Sequence, residues 1–228
     1  REPEAPPGLG SYFFHDALNI GDIVDVKAPS GNFFLDLSKH NPVVLIGGGV
    51  GLTPMLSMLN AICESGSQRE TWLFYGVRNG DEHIVQEHLE ALEAEHEHVH
   101  VQICYSDPKD DEVEGRDFDH GCRIRVELFK RILPSNNFEF YICGPPPMMD
   151  SLTSDLREWD VPDRDVNFEA FGPASVKKTA TATVSAETSS VGQVVTFARS
   201  NKKVTWGGSH GSLLELAEDS GIALDSGC

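Results

Sequence analysis

The chain has 228 residues and 25.0 kDa, with 39% hydrophobic and 24% charged residues, a globular composition that excludes disorder throughout and collagen-like fibres. Lys and Arg number 18 against 36 Asp and Glu, for a formal net charge of −18 and a pI near 4.7, a field that repels nucleic-acid backbones and anionic lipid surfaces. Its longest apolar run, residues 43–52 broken by glycines, falls far short of the ~20 residues that span a bilayer, so no membrane insertion is expected.

Residues 1–40 read as β-structure. Ile20-Gly-Asp-Ile-Val-Asp-Val-Lys alternates apolar and polar positions, and Pro29-Ser-Gly-Asn forms a turn before Phe33-Phe-Leu-Asp-Leu. Two strands and a turn cannot bury a core alone. From 41 to 173 short apolar runs at 43–46, 72–75, 99–103 and 138–142 alternate with amphipathic helical patterns at 55–64, 82–95, 126–133 and 148–158. That alternation predicts an α/β domain with a mostly parallel sheet. Residues 174–182 are small and polar, as in a linker. Within 183–228, Thr183-Val, Val194-Val-Thr-Phe-Ala and Val204-Thr-Trp read as strands around a loop at 199–203. Ser212 and Glu215 make a capping box for a following helix. This last block is the start of an α+β unit, and the chain, opening on Arg1 and closing on Cys228, reads as a piece of a longer protein.

The sharpest local signal is Val43-Val-Leu-Ile-Gly-Gly-Gly-Val-Gly-Leu-Thr-Pro, a buried strand running through glycines into a helix. Glycines let backbone N–H groups approach a phosphate, and a helix N-terminus adds partial positive charge, so Gly47, Gly48, Gly49, Gly51 and the helix start form an anion cradle. Glycines also serve ordinary strand-to-helix turns, and the run alone does not decide between the two. The third glycine of the dinucleotide fingerprint is replaced by Pro54, with Thr53 before it as a good N-cap. An acid to hold a ribose hydroxyl is expected at the end of the next strand, yet Gly76-Val-Arg78 stands there. An ordinary Rossmann dehydrogenase is therefore disfavoured.

Five cysteines (Cys63, Cys104, Cys122, Cys143, Cys228) without a Cys-x-x-Cys pair argue against a disulfide scaffold and fit a reducing, cytoplasmic setting. His96, His98 and His100 straddle a helix end and a strand start, so their rings need not converge on a metal. The acidic run 107–119 reads as a solvated loop, or as a docking face for a basic partner.

Four motifs in order resemble the ferredoxin–NADP reductase superfamily, and within it the NAD(P)H-oxidising flavoprotein reductases. Gly49-Val-Gly-Leu-Thr-Pro is similar to the family's pyrophosphate loop, Tyr75-Gly-Val-Arg to the segment after its second strand, Tyr141-Ile-Cys-Gly-Pro-Pro-Pro-Met to its Cys-Gly-Pro motif, and Glu169-Ala-Phe-Gly-Pro to its closing segment. Pro7-Gly-Leu-Gly-Ser-Tyr-Phe-Phe-His-Asp resembles part of its flavin barrel, whose Arg-x-Tyr-Ser/Thr motif lies upstream in family members. Leu224-Asp-Ser-Gly-Cys resembles the start of a plant-type [2Fe–2S] ferredoxin domain, a cluster that takes four cysteine thiolates.

The resemblance implies an α/β NAD(P)-binding domain at 41–173, preceded at 1–40 by the end of an antiparallel flavin-binding barrel and followed at 183–228 by a β-grasp start. It implies hydride transfer from NAD(P)H to a flavin, then single electrons to a [2Fe–2S] cluster and an acceptor protein or domain, which could be an oxygenase, a haem protein or another iron–sulfur protein. Catalytic residues would be Cys143, Glu169 and Thr53. Gly8 and Ser11 would face the flavin phosphate. Gly144, Pro145 and Met148 would border the nicotinamide, and Phe171 would cover the flavin. Gly76, Arg78, Ser106 and Asp107 would meet the adenosine, and Cys228 would be the first cluster ligand. Arg78 could pair with a 2′-phosphate, but Asp107 and the acids after it favour NADH over NADPH. FAD is preferred, with FMN as the alternative. The rival readings are a nucleotide-binding module without redox turnover and an interaction module carrying no cluster.

Overall fold

A computed structural model describes residues 9–29, 31–171, 193–198, 200–206 and 213–222. The expected linker at 174–182, the strand at 183–184, the Ser212 cap, Gly8 and Cys228 lie outside these residues. The chain divides into two units, residues 1–35 and 36–228.

In the first unit one short helix, α1 (Leu9–Tyr12), runs into a π-helical turn, Phe13–Ala17. The strands expected at 20–27 and 33–37 are absent, and Ile20, Ile23 and Val26 stand exposed. Alternating polarity marks a segment able to form a strand, but a strand exists only where neighbouring backbone takes up its N–H and C=O groups.

The second unit is built on five parallel strands, β1 (Val43–Gly48), β2 (Thr71–Val77), β3 (Val99–Tyr105), β4 (Glu139–Cys143) and β5 (Val166–Glu169), in the order β3-β2-β1-β4-β5. Around them lie α2 (Leu52–Glu64), α3 (Gln86–Glu95), α4 (Val126–Ile132) and α5 (Pro146–Glu158). All six residues of β1 are buried, as a central strand covered on both faces requires. Val44, Ile46, Phe74, Phe129, Phe140 and Leu152 belong to one core cluster, and α2 buries Met55, Leu59 and Ile62.

β5 escaped the sequence reading because it is four residues long and only half-buried, so it shows no apolar run. The helix expected from residue 82 begins at Gln86. A 3-10 turn, Gly80–Glu82, and Val85 at φ +54° interrupt the helical path before it.

Two devices hold the edges and the floor of this sheet. At the start of β4 the buried Glu139 takes Arg69 Nη2 and Lys39 Nζ, each at 2.5 Å, while Arg69 Nε donates to the Asn41 carbonyl. Along β3, an edge strand, Glu93 accepts from the Val101 N–H at 2.8 Å and Asp119 from the Ile103 N–H at 2.7 Å, and Tyr105 N–H donates to the His120 carbonyl. The acidic loop is therefore bonded to the sheet edge rather than only solvated, which occupies donors that would otherwise invite another strand.

After residue 192 β6 (Gln193–Phe197) and β7 (Lys202–Trp206) pair antiparallel, with Asn201 at φ +50° in the turn, and α6 (Leu213–Asp219) follows. Lys202 Nζ donates to the Ser220 carbonyl at 3.0 Å, tying the hairpin to the end of α6. The expected hairpin and helix are both present. Among the described residues no helix is long and apolar enough to cross a membrane.

Candidate functional site at the carboxyl edge of the sheet

The strand order reverses between β1 and β4, and open α/β sheets bind ligands outside the carboxyl ends of strands at such a switch point. Register fixes what meets there. Gly48 lies beside Gly76, Gly47 beside Cys143, and Cys143 beside Glu169.

The glycines of the loop divide into two kinds. Gly49 has φ +54° and nothing within 4 Å of where a side chain would begin, so it is left-handed and open. Gly51 is filled from the other side: a Cβ there would collide with the Cys143 carbonyl. At Gly48 a Cβ would come within 2.8 Å of Met148 Sδ and 2.9 Å of Pro145 Cδ. Gly47 backs onto Leu52, and Gly144 onto Met148 and Gly48. The loop after β1 and the loop after β4 thus interlock through absent side chains, and the backbone at Gly49 stays free to approach an anion at the start of α2.

Thr53 was expected as the N-cap. Instead α2 starts at Leu52 with Gly51 as its N-cap, and Thr53 Oγ1 donates to the Val50 carbonyl at 3.0 Å. The 3-10 turn Gly49–Gly51 feeds directly into the helix and moves the boundary back, with Pro54 inside the first turn.

Cys143 is fully buried, and burial followed by the nearby Glu169 charge pushes its thiol up to about 11. It is a neutral thiol at physiological pH and not a nucleophile. Glu169 is exposed beside it, and Phe171, two residues on, is 49% exposed. Pro145 caps α5, and the half-buried Met148 packs in its first turn.

The ends of β2 and β3 are stitched together. Ser106 N–H donates to the Val77 carbonyl at 3.0 Å and Asp107 N–H to the Arg78 carbonyl at 2.9 Å. Glu112 accepts from the Gly80 N–H and the Lys109 N–H, both at 2.8 Å. Ile124 seals Gly76. Arg78, Ser106 and Asp107 are all exposed at this edge. The structure thus brings Gly47, Gly48, Gly51, Cys143, Gly144, Pro145, Met148 and Glu169 together at the switch point, with Gly76 in register beside Gly48 and Arg78, Ser106 and Asp107 grouped at the ends of β2 and β3. Ser11 lies on α1 of the first unit.

Among the described residues no group of three His, Cys, Asp or Glu side chains could hold a metal ion. His100 faces Glu70 at 3.2 Å and stacks on Trp72, while His96 and His98 pack on each other. The residue that sequence reasoning missed is Glu82. Its only sequence signal is the four-residue spacing from Arg78.

Residues 45–154 match the family of oxidoreductase NAD-binding domains. A flavohemoprotein of Bacillus cereus is 39% identical over 172 residues, covering 75% of this chain and 43% of that protein. The flavohem-like FAD/NAD-binding domain of a nitric oxide dioxygenase from Vibrio cholerae is 31% identical, covers 73% of this chain and 66% of that one, and superposes with a TM-score of 0.62. An intact type IV self-sufficient cytochrome P450 monooxygenase shares the fold over 99% of this chain and 25% of its own, at 23% identity and a TM-score of 0.61. The chain spans less than half the length of the flavohemoproteins it matches.

Proposed function

Because residues 45–154 form an oxidoreductase NAD-binding domain of the ferredoxin–NADP reductase superfamily, we propose that the chain is the NADH-oxidising part of a cytoplasmic flavoprotein electron-transfer reductase. The observation that carries this reading is the switch point itself, where the open Gly49 at a helix start follows β1, one strand from Cys143 on β4, which is in register with Glu169 on β5. The pyrophosphate of NADH lies against Gly49 and the start of α2. The nicotinamide then reaches the end of β4. There the neutral thiol of Cys143 fills the wall without charge, Thr53 borders the ring, and the Glu169 carboxylate balances the positive charge that develops as hydride leaves. Phe171 is an exposed ring that yields to the nicotinamide.

The chemistry a flavin supplies when bound is acceptance of a hydride and release of single electrons. The FAD/NAD-binding relative supports FAD as that flavin. The described residues of the first unit carry one short helix and a π-helical turn at 9–17 and no strand, and do not by themselves make a flavin seat. A [2Fe–2S] cluster is proposed as the next electron carrier, in a ferredoxin-like module beginning with β6, β7 and α6, with Cys228 as one thiolate. The four described cysteines, three of them buried, do not fit that role. The final acceptor belongs to the class of haem or iron–sulfur proteins, in keeping with the flavohemoprotein relatives.

In the flavin-loaded protein, Cys143→Ala and Glu169→Ala are each expected to slow flavin reduction by NADH about tenfold or more, with flavin binding unchanged. Stopped-flow bleaching of the flavin band is the measurement. Wild-type rates in both variants would remove these residues from the mechanism. Absence of NADH-driven bleaching in the flavin-loaded wild type would favour a nucleotide-binding module without turnover.

A further inference from the structure

The chain has four methionines, and access to solvent divides them. Met55 and Met149 are fully buried and Met58 is 7% exposed, whereas Met148 is half-buried and is, among the described residues, the methionine that water reaches. It lies in the seam between the loops that follow β1 and β4. A Cβ built on Gly48 would stand 2.8 Å from Met148 Sδ and 2.9 Å from its Cε, and a Cβ built on Gly144 would stand 2.5 Å from the same Cε. The thioether tip therefore fills the space that two glycines leave, against the backbone that leads into the open Gly49. Pro145 Cδ borders the same space, 2.9 Å from the Gly48 position. The backbone beneath the side chain is fixed: Met148 N–H and Met149 N–H both donate to the Pro145 carbonyl, at 2.9 and 3.1 Å, in the first turn of α5. A flexible apolar side chain suits an irregular gap of this kind, and it does so through a sulfur that stays oxidisable.

Resting on the nucleotide-binding reading above, we propose that Met148 is a modification site, at which oxidation of the thioether to the sulfoxide by hydrogen peroxide switches off nucleotide binding. A lone pair of Sδ attacks one peroxide oxygen, the S–O bond forms as the O–O bond breaks, and the departing hydroxide takes the remaining proton and leaves as water. Sulfur gives up two electrons and peroxide is reduced by two. The product is a polar, chiral side chain in a slot shaped for an apolar one. With the Met148 backbone held in the first turn of α5, the added oxygen has two places to go. It presses on Gly48, where even a Cβ has no room, or it turns to water and draws Cε out of the seam. Either way the loops after β1 and β4 lose the contact that locks them together. The sulfoxide oxygen is also the negative end of a dipole, placed beside the backbone proposed to receive a pyrophosphate, so it opposes the anion directly. The other three methionines are shielded by burial, which confines the reaction to this one sulfur.

The test exposes the intact chain to hydrogen peroxide and then to dithiothreitol, which returns sulfenic acids and disulfides to thiols and leaves sulfoxides in place. Peptide mass mapping and titration with NADH follow. Met148 is expected to gain one oxygen at least about tenfold faster than Met55, Met58 or Met149, and the oxidised chain to bind NADH at least about tenfold more weakly with its far-ultraviolet circular dichroism retained. The two methionine sulfoxide reductases, one for each epimer, are expected to restore the affinity. Met148→Leu, compared with its own untreated form, is expected to keep its affinity through the peroxide step. Oxidation spread evenly over the four methionines, or an unchanged affinity in chain that carries the Met148 sulfoxide, overturns the inference while NADH binding by untreated protein upholds the nucleotide site. An equal loss in peroxide-treated Met148→Leu, or a loss that comes with unfolding, overturns it as well. Failure of the untreated wild type to bind NADH overturns the site itself and this inference with it.

Discussion

Gly51→Ala is expected to destabilise the protein by about 3 kcal/mol, roughly 6–12 °C in melting midpoint, and to abolish nucleotide binding. A Cβ at this position meets the carbonyl of Cys143 and the backbone N of Gly144. Both are main-chain atoms at the end of a fully buried strand, so no side chain can swing aside. Relief requires parting β1 from β4, which pair from Val43 and Glu139 to Gly47 and Cys143, and that separation opens the switch point proposed to hold the nucleotide. Two neighbouring glycines provide internal controls. At Gly48 the clash is with the tip of Met148, a flexible chain that can rotate, so Gly48→Ala costs less. Gly49→Ala meets nothing and carries only the cost of a left-handed backbone, about 1–2 kcal/mol. Thermal melts of the three variants, each followed by titration with NADH, give the ranking. Equal losses at Gly49 and Gly51 would show that the interlock of the two loops is not what holds the site.

The second large effect lies at the opposite end of the sheet. Glu139→Ala is expected to cost about 3–5 kcal/mol, because it leaves the guanidinium of Arg69, with 1% of its side chain exposed, buried and without its carboxylate. Arg69 Nη1 already has no partner among the described residues, so the site has no reserve of acceptors. Its Nε bond to the Asn41 carbonyl, at the entry to β1, cannot offset a full charge. Lys39→Met, by contrast, removes a half-exposed amine and is expected to cost about 1 kcal/mol or less. The paired change Arg69→Met with Glu139→Leu restores much of the loss, since it removes both charges from the low-dielectric floor. Urea denaturation of the four proteins measures each cost. A Glu139→Ala loss no larger than that of Lys39→Met would mean that Arg69 finds water or another acceptor once its partner is gone.

The alternation of strands and helices from residue 43 to 158 was legible in the sequence because period and length are local properties. A continuous apolar run such as Val43-Val-Leu-Ile can only be buried on both faces, and helical spacing in 148–158 can only present one apolar stripe. The glycine loop, the Cys-Gly-Pro segment and the late β-hairpin were legible for the same reason, since each is a short motif whose meaning lies in adjacent residues. Tertiary structure decided the rest, wherever a residue's role depends on what another part of the chain places beside it. It separated the open Gly49 from Gly51, whose space belongs to a carbonyl 92 positions away in the sequence, and moved the start of α2 so that Thr53 lost its expected cap. It turned acids at Asp119 and Glu112 from loop charges into acceptors for backbone N–H groups. It left 20–27 and 33–37 without strands, because a strand needs neighbouring backbone that no alternation can specify. It also returned a carboxylate to the end of β2 through Glu82, where the linear motif showed an arginine, because a turn brings together in space what a motif can only place in order.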